Sequence, residues 1–141
     1  MVSFEDAWQF IVRVGLAAHR YGSTAGRLES FLSGLSKKFG YEGVFRSTPS
    51  DIVFAVRESP DSPQRVEFIA TPPPGVDLDK LARLGDVMQD MHAGTMSLAD
   101  SSARLDAIDK MHPPWGKLAS MLGYAVVGLG LAPILGGGWA D

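Results

Sequence analysis

Hydrophobic positions recur every three or four residues near both ends of the first 110 residues and every second residue between them. Phe4, Trp8, Ile11, Val12, Leu16 and His19 share one helical stripe, with Ser3 placed to cap it. The spacing predicts a helix ending near Tyr21-Gly22. Thr24 is placed to cap a second helix, striped by Leu28, Phe31, Leu32, Leu35 and Phe39, and Gly40 stands where a helix C-cap glycine belongs. The period then falls to two. Residues 43–48 read as a short extended run, 51–57 alternate Ile52, Phe54 and Val56 with Val53, Ala55 and Arg57, and 64–70 alternate Val66, Phe68 and Ala70 with Arg65, Glu67 and Ile69. The links Ser47-Thr48-Pro49-Ser50 and Ser59-Pro60-Asp61-Ser62-Pro63 have turn chemistry, and links this short favour an antiparallel meander. Thr71-Pro72-Pro73-Pro74-Gly75 ends the sheet, because proline cannot donate to a strand ladder. Helical spacing returns with Leu78, Leu81, Leu84, Met88 and Met91 before Gly94. A fourth helix carries Leu98, Leu105, Ile108 and Met111, with Ser97 and Asp100 as a capping pair and Pro113-Pro114 as its stop.

This pattern predicts an α+β domain over residues 1–113: an antiparallel sheet of about three strands, with two helices before it, two after it, and the helices packed on one face. Residues 114–141 read differently. Of the 29 charged side chains in the 141 residues, 28 lie in 1–117, and Asp141 is the one acidic residue beyond. The 18 residues from Leu118 to Leu135 carry no charge. As a helix they span about 27 Å, close to a hydrocarbon core of about 30 Å. Trp115 and Trp139 flank the segment as interfacial aromatics do, and Lys110 and Lys117 stand before it with no basic residue after. The expectation is one C-terminal transmembrane helix in the lipid bilayer of the cell (inner) membrane, with the charged domain held in the cytoplasm. A buried helix of a water-soluble core is the alternative. Ala119 with Gly123, and Gly128 with Ala132, form small-xxx-small pairs that let a second helix approach, so an oligomer or partner helices are expected.

Composition narrows the function. The formal charge is -3, with no basic cluster, which argues against a nucleic-acid partner. There are no cysteines, hence no disulfide, thiolate nucleophile or cysteine-ligated zinc. The N-terminal apolar stretch is broken by Glu5, Asp6 and Arg13, unlike a secretory signal. No cofactor motif is present. Ser47 or Ser50 with Asp51 and one of His19, His92 or His112 is the only hydrolase triad that can be sketched, and there is no G-x-S-x-G elbow. The same residues serve as turn formers and surface histidines, which is the preferred reading. Asp86, Asp90 and His92 lie near one another but read as a solvated helix face rather than metal ligands, as do Asp106 and Asp109. Gly136-Gly137-Gly138-Trp139 exposes backbone at a helix end. In membranes such breaks either line a substrate path or form an interfacial exit loop, and both readings stay open.

Several segments in collinear order resemble the threonine/serine exporter family. They are Gly15-Leu16-Ala17, His19-Arg20-Tyr21-Gly22 and Arg27-Leu28-Glu29; Ser47-Thr48-Pro49-Ser50-Asp51-Ile52, similar to the family's S-T-P-T-x-I turn; Val76-Asp77-Leu78-Asp79-Lys80-Leu81; and Pro114-Trp115 through Gly136-Gly137-Gly138-Trp139. The resemblance implies proton-driven export of L-threonine and L-serine, by a cytoplasmic domain followed by a many-helix membrane part. It carries Thr48, Asp51 and Gly136 to Trp139 over as substrate or transport positions, and Gly22, Arg27 and Glu29 as a structural motif. Arg27 and Glu29 are two apart and cannot face each other on a helix, so Glu29 is expected to meet an arginine of another element, or solvent. One spanning segment cannot build an alternating-access site, so the chain is expected to act as a fragment or one piece of an assembly. The alternative is a membrane-anchored module that binds a small molecule or a protein partner.

Overall fold

The computed structural model describes residues 2–112 and 116–131, without the side chains of residues 117, 118 and 120. The elements run α1 (Phe4–Arg20), α2 (Ala25–Lys38), β1 (Glu42–Ser47), β2 (Asp51–Arg57), β3 (Arg65–Ala70), α3 (Leu78–Ala93), α4 (Leu98–Lys110) and α5 (Lys117–Leu131). They fall into two compact units, Met1–Lys110 and Met111–Asp141.

In the first unit, local chemistry sets the helix ends. Ser3 Oγ accepts from the Asp6 N–H at 3.1 Å, and Asp77 Oδ1 accepts from the Lys80 N–H at 3.0 Å. Ser97 Oγ accepts from the Asp100 N–H and donates to the Asp100 carboxylate at 2.6 Å. Gly94 closes α3 in the left-handed conformation. Thr24 occupies the N-cap of α2 but makes no side-chain cap bond.

The sheet is an antiparallel meander in the order β1-β2-β3. Phe45, Ile52, Phe54 and Val56 are buried on its helix-covered face. The register places Val44, Ala55 and Val66 in one row of the other face, and Arg46, Val53 and Phe68 in the next. Val44, Val66 and Phe68 are therefore exposed. On the edge strand the inward position of Arg65 is filled by a stacked cation: its guanidinium lies 4.4 Å from the Trp8 ring centre and 2.8 Å from Glu5.

α1 is the centre of the unit and touches α2, α4 and β2. Its buried face is wider than the predicted stripe. Ala7, Phe10, Val14, Ala17 and Ala18 are buried, whereas Val12 and Leu16 are only half-buried. A helix packed on several sides buries small residues where a stripe has large ones. Gly15 shows this: a Cβ there would stand 2.6 Å from the Phe54 ring.

The second unit contains α5, of 15 residues, where the sequence predicts an uncharged span of 18. Among the described residues no helix is long and apolar enough to cross a membrane. Residues 132–135 of the expected span lie outside the described residues, as do Trp115, Trp139 and Gly136 to Gly138. Within α5, Met121, Leu122, Tyr124, Val126, Val127 and Leu129 are all exposed.

Candidate functional site

The predicted turn residues Thr48 and Asp51 do come together with His19, Ser47, Ser50 and Glu29. The turn closes on itself first. The Thr48 N–H donates to the Asp51 carbonyl at 2.9 Å, and Thr48 Oγ1 accepts from the N–H groups of Ser50 and Asp51, each at 3.2 Å. Ser50 Oγ donates to the Asp51 carboxylate at 3.1 Å. Three other elements then clamp it. His19 Nε2, buried at the end of α1, donates to the Thr48 carbonyl at 3.0 Å. Glu29 Oε1, on α2, accepts from the Ser47 N–H at 2.9 Å, while its other oxygen stands 3.3 Å from Arg46. The Thr71 N–H, just after β3, donates to the Ser50 carbonyl at 2.8 Å.

This geometry does not make a hydrolase triad. A catalytic base must face the nucleophile's proton. Here the Nε2 proton of His19 is held by a backbone carbonyl, and the Ser50 hydroxyl points to its neighbour's carboxylate. Three of the candidate metal ligands are engaged by arginines. Asp90 pairs with Arg104, Asp106 with Arg13 and Asp109 with Arg20. Among the described residues no group of three or more His, Asp or Glu is placed to hold a metal.

The C-terminus of α1 is a second junction. Gly22 has φ +95°, and a Cβ there would meet the Gly75 carbonyl at 2.5 Å, so this position needs glycine twice over. The Gly75 N–H donates to the Arg20 carbonyl at 3.2 Å, and the Asp77 N–H to the Tyr21 carbonyl at 3.0 Å. These bonds fasten the proline-rich segment to α1. The buried Tyr21 hydroxyl donates to the Asp109 carboxylate of α4, and Lys80 Nζ donates to the Asp109 carbonyl at 3.0 Å. Burial first, and then the Asp109 hydrogen bond and charge, raise the Tyr21 pKa above its ordinary 10.0.

Of the two expectations for Glu29, an arginine of another element or solvent, the structure shows the first, Arg46 of β1. Arg27 lies apart from the turn. It lines a groove of about 420 Å³ between α2 and α3, with Phe31 and Gly34 on one wall and Leu81, Gly85 and Met88 on the other. Hydrophobic periodicity does not find this groove, since it marks the stripes that fill space. The available signal was the pair of mid-helix glycines, Gly34 and Gly85.

A family model described as "Putative threonine/serine exporter" matches residues 9–141, across both compact units. No curated protein and no solved structure matches the chain.

Proposed function

The chain belongs to the threonine/serine exporter family, and from that premise we propose that it provides the cytoplasmic domain and first membrane helix of an exporter of L-threonine and L-serine. The observation that carries this reading is the family match, which runs through the charged unit and into the uncharged segment. Membership of a transporter family favours transport over hydrolysis, and places the chain at a membrane.

α5 supports the membrane part. An apolar helix exposed on all sides needs an apolar solvent or close partners, because its burial is worth about 25 cal/mol for each Å² removed from water. In this reading the uncharged segment from Leu118 to Leu135 spans the cell (inner) membrane. Residues 1–113 stay on the cytoplasmic side, set by Lys110 and Lys117. Gly123 and Gly128 let other membrane helices, of the same or a partner chain, approach α5. One helix has no second repeat to rock against, so transport requires those helices. The proton gradient is the proposed driving force, and Gly136 to Trp139 border the substrate path. Thr48 and Asp51 build the clamped turn that ties α1, α2 and the sheet together.

The test is deletion of residues 1–117 from the gene that encodes this chain. Cells carrying the deletion lose less threonine than cells carrying the intact gene. Unchanged efflux from a deletion product that still inserts would remove the domain from transport.

A further inference from the structure

Arg27 and Glu29 stand two residues apart on α2 and have opposite circumstances. Glu29 is engaged by Ser47 and Arg46. Every other arginine of the chain makes an ion pair, from Arg13 with Asp106 to Arg104 with Asp90. Among the described residues Arg27 has neither an ion pair nor a hydrogen bond, and it lies on the groove between α2 and α3.

The groove walls are two helix faces. Arg27, Phe31 and Gly34 recur at helical spacing on α2, and Leu81, Gly85 and Met88 on α3. Glycine is a poor helix former, yet both wall glycines lie inside helices. A Cβ on either would meet no heavy atom within 4 Å, so close packing does not account for them. Their effect is to leave the space between the walls open. The resulting volume of about 420 Å³ is within the usual range of small-ligand sites, roughly 300–1,000 Å³, and such sites combine apolar walls with a few polar groups. A guanidinium offers a planar fork that matches a carboxylate.

From these observations we infer that the α2–α3 groove binds a small amphipathic carboxylate. Its apolar body displaces water from the partly buried Phe31 and Leu81, and its carboxylate is taken by Arg27. The site belongs to the first unit alone and does not depend on export, so it stands or falls separately from the proposed function.

The test uses the full chain in detergent, with 3-phenylpropionate as the probe and 3-phenylpropanol as its uncharged counterpart. Binding is followed by the backbone amide NMR signals of Gly34 and Gly85. The expected result is a saturable shift at both glycines, with the acid bound more tightly than the alcohol. Arg27→Gln should weaken the acid at least tenfold and leave the alcohol unchanged. Gly85→Leu should abolish both while the rest of the spectrum is retained, and Gly34→Leu on the facing wall replaces it if that variant unfolds. No saturable shift in the unaltered chain overturns the inference, as does an Arg27→Gln chain that binds the acid normally, or a folded wall-filling variant that still binds both probes.

Discussion

The buried Nε2 of His19 donates to the carbonyl oxygen of Thr48 at 3.0 Å, joining positions 29 residues apart. The bond explains why a histidine, a serine and an aspartate that resemble catalytic parts lie together. They are the pieces of a clamped turn. His19→Leu keeps most of the volume and removes the donor, and is expected to cost about 1–3 kcal/mol. Urea denaturation followed by far-UV circular dichroism measures it. His19→Gln, whose amide can donate to the same carbonyl, should recover part of the loss. Equal stability of all three chains would show that the bond does not hold the turn.

Tyr21 links the end of α1 to Asp109 on α4. Its pKa is raised in the folded chain, so the native state holds this proton more tightly than the unfolded state. The stabilisation is complete below the unfolded pKa, near 10, and is lost as pH rises from there through the folded value. Denaturation midpoints should therefore fall more steeply above pH 10 in the unaltered chain than in Tyr21→Phe. At neutral pH the substitution should destabilise by about 1–3 kcal/mol, since Asp109 loses a donor. Parallel alkaline profiles would contradict the assignment.

Among the described residues the Thr71 hydroxyl is buried without a hydrogen-bond partner, although its backbone N–H serves the turn. Thr71→Val replaces an unpaired polar atom with a methyl group of similar size. A gain of about 1 kcal/mol in thermal or urea stability is expected, because the desolvation cost of the hydroxyl disappears. A loss of stability would mean that the hydroxyl has a partner.

The chain contains no cysteine, so a single introduced thiol reports one position cleanly. Gln64→Cys lies in the exposed link between β2 and β3. In intact cells a membrane-impermeant maleimide should leave it unlabelled, and in inverted membrane vesicles it should label it. Labelling of intact cells would place the first unit outside and reverse the orientation argued from Lys110 and Lys117.

The order ααβββαα was legible because each change of period is bounded by turn or cap chemistry: Gly22, Gly40, the three prolines and Gly94. Which face of β3 is covered was not. Alternation specifies two faces but does not say which is covered, and here Val66 and Phe68 face outward while Arg65 covers Trp8 with its guanidinium. At the turn, the residue types were visible but not their partners, since His19 and Glu29 reach it through tertiary contacts. The groove was hidden for a different reason. Its defining feature is the space that Gly34 and Gly85 leave empty, and the stripe residues Phe31, Leu81 and Met88 that line it read in sequence as ordinary core positions.

Export is tested by measuring efflux itself. Cells with and without the gene that encodes this chain are loaded with labelled L-threonine, diluted into threonine-free medium and sampled over time. Faster loss of label is expected with the gene present, together with competition by L-serine and slowing when the proton gradient is collapsed. Loss at the same rate with and without the gene, in cells where the protein is present in the membrane, would contradict it.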